Sequence, residues 1–130
     1  MVRQALLIVV IGAAAVAFLA GCGGSSDHAQ KACGEDRSAL AQLAPVRRLA
    51  DAETALRAVV AVERDALTAV GGGDKLAPRL RAAIVSAERA LAAVEADPLR
   101  TRTMSPLRTG VPAARRALAT ARQLVAELCR

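Results

Sequence analysis

Apolar positions recur with a helical period along most of the chain after its first thirty residues. The clearest stripe lies within residues 46–70, where Leu49, Ala52, Leu56, Val59, Val60, Leu67 and Val70 share one face. Arg47, Asp51, Arg57, Arg64 and Asp65 lie off it, and Gly71-Gly72-Gly73 stops the helix. A second stripe over 74–96 joins Leu76, Leu80, Ala83, Ile84, Ala87, Leu91 and Val94. Asp74 caps that helix, Pro78 falls in its first turn, and Asp97-Pro98 ends it. A final helix over 112–129 opens on Pro112 and aligns Ala114, Leu118, Ala121, Val125 and Leu128.

The first helix, 28–44, is the weakest. Ala29, Ala32, Cys33, Leu40 and Leu43 fall on one side, but Asp36 falls among them. Asp27 and Gln30 are placed as a capping pair for its start. Pro45 discourages the helical state at Ala44, so it either begins a new helix or kinks one long helix over 28–70. Between 97 and 112 the spacing of Pro98, Pro106, Gly110 and Pro112 predicts an irregular segment, with at most one helical turn from Ser105-Pro106. The expected fold is all-α, a small antiparallel bundle of four helices, or three if Pro45 only kinks the first.

Residues 1–22 do not fit that bundle. Arg3 precedes an apolar run from Ala5 to Ala20, and small residues lead to Leu19-Ala20-Gly21-Cys22. This stretch resembles the lipobox signal peptide of bacterial lipoproteins, matching all four positions at the expected distance from the start. The resemblance implies cleavage after Gly21, diacylglycerol on the Cys22 thiol, and a mature protein on the extracytoplasmic face of a membrane. An uncleaved span is the alternative, but residues 5–21 are shorter than the roughly 20 apolar residues a span needs. The chain then divides into a signal peptide (1–21), a lipidated tether (22–28) and a helical domain (29–130).

With Cys22 taken by lipid, Cys33 and Cys129 remain, and two thiols in an exported domain read as one disulfide. Two buried free thiols or an intermolecular bridge are the alternatives. In an up-down-up-down bundle the first helix starts where the fourth stops, so the bond and the four-helix count support each other.

The only aromatic residue, Phe18, lies in the signal. The domain therefore builds its core from Leu, Val, Ile and Ala, which suits closely packed helices and argues against a sheet. It also lacks the aromatic platforms that stack on bases and sugars, so no nucleic-acid partner is expected. Charge is uneven: residues 22–97 hold ten Lys and Arg against eleven Asp and Glu, whereas residues 98–130 hold seven Arg against Glu127 alone.

Catalytic chemistry has little support. His28 is the only histidine, the serines have no histidine base, and no cofactor or metal site is apparent. Glu63 falls in the middle of the 46–70 stripe, and a buried carboxylate must find a partner, take a proton or reach water. A salt bridge to Arg115 or Arg122 is the expected solution; solvation at a bowed helix end or a ligand-binding role are the others. The basic segment is the stronger functional candidate. Arg100, Arg102 and Arg108, with Arg115, Arg116 and Arg122 beyond them, suit phosphate or carboxylate groups. The expected function is a non-enzymatic, lipid-anchored binding or structural module whose arginine face meets an anionic envelope component or a protein. The alternative is a carrier or sensor holding a small apolar ligand between its helices, with Glu63 as the polar group inside. Peptide-mapping mass spectrometry on protein from native membranes is expected to find acylated Cys22 as the first residue; an intact Met1 would overturn the anchor.

Overall fold

The computed structural model describes residues 24–96 and 105–130. They form four helices with no strand among them: α1 (Gly24–Ala41), α2 (Leu49–Val70), α3 (Ala77–Glu95) and α4 (Ser105–Leu128). The expected signal peptide, Cys22, Arg100 and Arg102 lie outside the described residues.

Pro45 separates two helices. After Ala41 the Gln42 N–H still reaches Ser38 O (3.1 Å), and then the chain leaves the helix for six residues. Asp51 sets where α2 begins, later than the expected residue 46. Its carboxylate accepts the N–H groups of Arg47 (3.1 Å) and Arg48 (3.0 Å), two donors that a helix start leaves without partners. At the far end Gly71 takes φ +78°, a conformation open to glycine at little cost, while its N–H bonds Leu67 O. Asp74 accepts from Leu76 N–H at 2.7 Å and leads into α3, which starts at Ala77 rather than 74.

Two further expectations about helix ends are corrected. Helix α1 begins at Gly24, so most of the stretch assigned to a tether is helical, with Asp27 in the first turn where the helix dipole favours an acid. Helix α4 begins at Ser105, and Pro112 lies inside it. The missing N–H of Pro112 removes a bond to Arg108 O, but the turn before it is held by packing. Gly110 is buried so closely that a Cβ there would stand 3.1 Å from both Leu49 Cδ2 and Val94 Cγ2, and Val111 is 6% exposed. Tertiary contact sets that boundary, against a local stop signal.

Helices α2 and α4 each touch the other three elements, whereas α1 and α3 do not touch each other. The cross-section is a rhombus with α2 and α4 on its short diagonal. Fully buried alanines allow that approach: Ala52 on α2, and Ala114 and Ala121 on α4, around Leu56 and Val59. One cluster of this core reaches Leu40 and Val46 at one pole; a second, of Ala66, Leu76, Leu80 and Leu124, fills the other. Cys33 and Cys129 are bonded at that second pole, with Cα atoms 5.2 Å apart and 96 residues between them in sequence. This is the meeting that the four-helix topology requires.

Closing a loop of this length removes much of the freedom of the unfolded chain, up to about 4.7 kcal/mol in the chain-entropy model. Cys33→Ser is expected to lower unfolding free energy by about 2–4 kcal/mol in urea. Dithiothreitol should do the same to the wild type and nothing further to the variant. Equal midpoints would show that the bond adds no stability.

Candidate functional site

Helices α2 and α3 are fastened along their length by ion pairs. Arg57 bridges Glu53 and Glu95, each at 2.8 Å, and Arg64 pairs with Glu88. Helices α3 and α4 are joined differently, at their two ends. Arg79 pairs with Glu127 near the disulfide, and Gly110 packs on Val94 at the opposite pole. Between these contacts the facing residues are small. Ala83, Ser86 and Ala90 on α3 stand opposite Ala113, Ala117 and Thr120 on α4, each set spaced to share one helix face. Their side chains are too short to close the gap, and a slot of about 280 Å³ remains.

Glu63 of α2 forms the floor of this slot. It is 1% exposed, and its Oε2 has no hydrogen-bond partner. The expected salt bridge to Arg115 or Arg122 is not formed, because those side chains serve the opposite side of α4. Arg115 Nε donates to Val46 O at 2.9 Å, tying α4 to the α1–α2 connector. Arg122 lines a groove between α1 and α4 with Arg37. Solvation at a bowed helix end is also ruled out by the depth of burial. Burial alone pushes Glu63 up to about 7. Glu63 thus lies buried at the base of a slot with alanine walls, a hydroxyl on each side of the mouth, and Arg116 at the rim.

Of the six arginines, the described side chains of Arg115, Arg116 and Arg122 do not converge. Arg108 lies in the second turn of α4, Arg115 and Arg122 follow at seven-residue steps, and Arg116 lies about 100° around the helix from Arg115, toward the slot. His28 lines a separate cleft between α1 and α2 with Lys31, Glu35 and Asp65. Among the described residues no group of His, Cys, Asp and Glu is arranged to hold a metal ion, and no helix is long and apolar enough to cross a membrane.

A second buried acid was only half legible in the sequence. Asp36, foreseen inside the stripe of α1, is 4% exposed with Oδ2 unpartnered. Burial first, and then the hydrogen bond and charge of Asp65, push it up to about 7. The sequence pattern puts Asp65 off the apolar face of α2 and gives no sign that the two carboxyls meet.

Both raised carboxyls bind a proton more tightly folded than unfolded. Their contribution to stability is therefore fully present below about pH 4 and is lost as pH rises through about 7. Asp51 is held low by the Arg48 and Arg47 N–H groups, and Glu127 by Arg79; they act in the opposite sense and lose their contribution in acid. The urea midpoint is expected to be highest near pH 5 and to fall toward pH 8. Glu63→Gln and Asp36→Asn should each raise stability at pH 8 by about 1–3 kcal/mol and change it little at pH 5. A profile flat from pH 5 to 8 in the wild type would overturn this account.

No family model matches the chain, and no curated protein or solved structure matches it either.

Proposed function

We propose that the protein is a lipid-anchored, extracytoplasmic binding module of the bacterial cell envelope, non-enzymatic, that holds a small ligand in the slot over Glu63. The observation that carries this reading is a carboxyl 1% exposed, with an oxygen lacking any partner, at the floor of a slot lined by small side chains. Leaving such a group unpaired costs about 1–3 kcal/mol, so the fold retains it at the expense of stability. Ligand sites commonly combine apolar walls with a few polar groups converging on the same space. The ion pair at one end and the Gly110 contact at the other hold α3 and α4 at a fixed spacing, which suits a site formed in advance of its ligand.

The anchor completes the proposal. Lipid on Cys22, at about 0.8 kcal/mol per buried methylene, holds the membrane stably when two or three chains are attached. Since α1 starts at Gly24, the disulfide pole would lie next to the bilayer and the slot would open on the side of the bundle.

A second reading keeps the arginine face as the partner site. Arg37 and Arg122 flank a groove of about 200 Å³ floored by Leu40, Ala41, Val125 and Ala126, and neither has a carboxylate partner among the described residues. That combination suits an anionic amphiphile, an acidic envelope component or a protein. The two readings separate in one experiment. N-phenylnaphthylamine fluorescence should report binding to the wild type and to Arg122→Glu, and Ala117→Leu, which fills the slot, should weaken it about tenfold. Salt-sensitive sedimentation with anionic vesicles that is lost in Arg37→Glu and Arg122→Glu, with no probe binding, would favour the arginine face instead.

A further inference from the structure

The slot holds an acid and a cation at different depths. Glu63 is at the floor, enclosed by Ala83, Ala90, Ala113 and Ala117, and Arg116 is at the exposed rim with Ser86 and Thr120. They form no salt bridge with each other, and Arg116 pairs with no other carboxylate among the described residues. Neither charge is therefore neutralised by a protein partner, and a molecule that reaches past the alanine walls to Glu63 meets an unpaired carboxyl. At about 280 Å³ the space falls at the small end of ligand sites, which run from about 300 to 1,000 Å³. A compact molecule fits, and a long acyl chain does not.

We propose that the ligand is a small aliphatic zwitterion, an amino carboxylate whose ammonium group pairs with Glu63 and whose carboxylate pairs with Arg116. The inference rests on the slot being a ligand site. Three properties of the slot select this class. A carboxylate in a low-dielectric floor gains most from a cation that can also donate hydrogen bonds, and an ammonium group does both. Alanine methyl groups along both walls accept methylenes and offer nothing to a polar midsection. At the mouth a planar guanidinium can take a carboxylate through two parallel bonds, with the Ser86 and Thr120 hydroxyls beside it as further donors.

Single-charge ligands satisfy only half of this arrangement. A simple amine meets Glu63 but must pass Arg116, and a simple carboxylate meets Arg116 but brings its charge toward Glu63. A free molecule is favoured over a lipid headgroup because the slot opens on the side of the bundle, between two closed poles. The charged groups of the slot are Glu63 and Arg116 alone; α3 contributes no titratable side chain to it. On the α1 side of α2, Asp36 and Asp65 titrate over a similar range, so any pH readout must be taken as the difference between wild type and Glu63→Gln.

The test is calorimetry on the full lipidated protein in detergent. The probes are ω-amino carboxylates of three to six carbons, with pentylamine and pentanoate as single-charge controls. At least one amino carboxylate is expected to bind ten times more tightly than either control, and more tightly at pH 8 than at pH 6. Glu63→Gln should lower that affinity about tenfold and remove most of the pH dependence. Arg116→Glu should abolish the preference over pentylamine while leaving pentylamine binding intact or improved. If N-phenylnaphthylamine binds but no amino carboxylate exceeds the controls, the ligand class is wrong and the slot remains a site. If neither the dye nor any probe binds, the site itself is refuted.

Discussion

A helical core without aromatic rings has to be filled by bringing backbones together, and this constraint shapes the whole domain. After Phe18 the chain has no Phe, Tyr or Trp, so volume must come from Leu, Val and Ile, and proximity from alanine. The α2–α4 diagonal meets the requirement. Ala52, Ala114 and Ala121 are fully buried there, and the branched side chains of Leu56, Val59 and Leu118 fill the space between them. Gly110 takes the same approach further, replacing a side chain by direct backbone contact with Leu49 and Val94. Between α3 and α4 alanine again faces alanine, but the ends of the two helices are held by other contacts and the middle does not close. The slot is the place where small-residue packing is left incomplete.

The buried acids are a second consequence of this packing. In a core of aliphatic side chains, a carboxyl has few neighbours able to share a hydrogen bond. Asp36 finds one in Asp65, another acid, and Glu63 lacks a partner on Oε2. Both are therefore driven toward their neutral forms near physiological pH. The surface is arranged differently: Arg57, Arg64 and Arg79 reach carboxylates on neighbouring helices, and these exposed pairs guide register more than they add stability.

Much of this was legible in the sequence. The stripes named the helices and most of the core, and the positions of Cys33 and Cys129 matched only one topology. The helix ends were less legible, because capping and proline signals are local and packing is not. Pro112 reads as a start and proves to be interior, since the turn before it is fixed by Leu49 and Val94, distant in sequence. A single stripe was also too narrow a description of α2. That helix touches three others, so Ala55, Val62 and Ala66 are buried as well, and Asp65 comes to meet Asp36. The burial of Glu63 followed from its position on the wheel, but its surroundings did not. They depend on how α4 is rotated, and one residue of rotation separates Arg115, which faces the α1–α2 connector, from Arg116, which faces the slot.

The bond between Cys33 and Cys129 has a mechanical meaning as well. It joins the first helix to the end of the last, so the intervening residues lie in parallel with a covalent link. A pull between a segment before Cys33 and one after Cys129 would run through a few residues of α1 and across the sulfurs. The packing of α2, α3 and α4, and the slot they form, would bear almost none of that force. A domain tethered on one side and tugged on the other would keep its interior at rest.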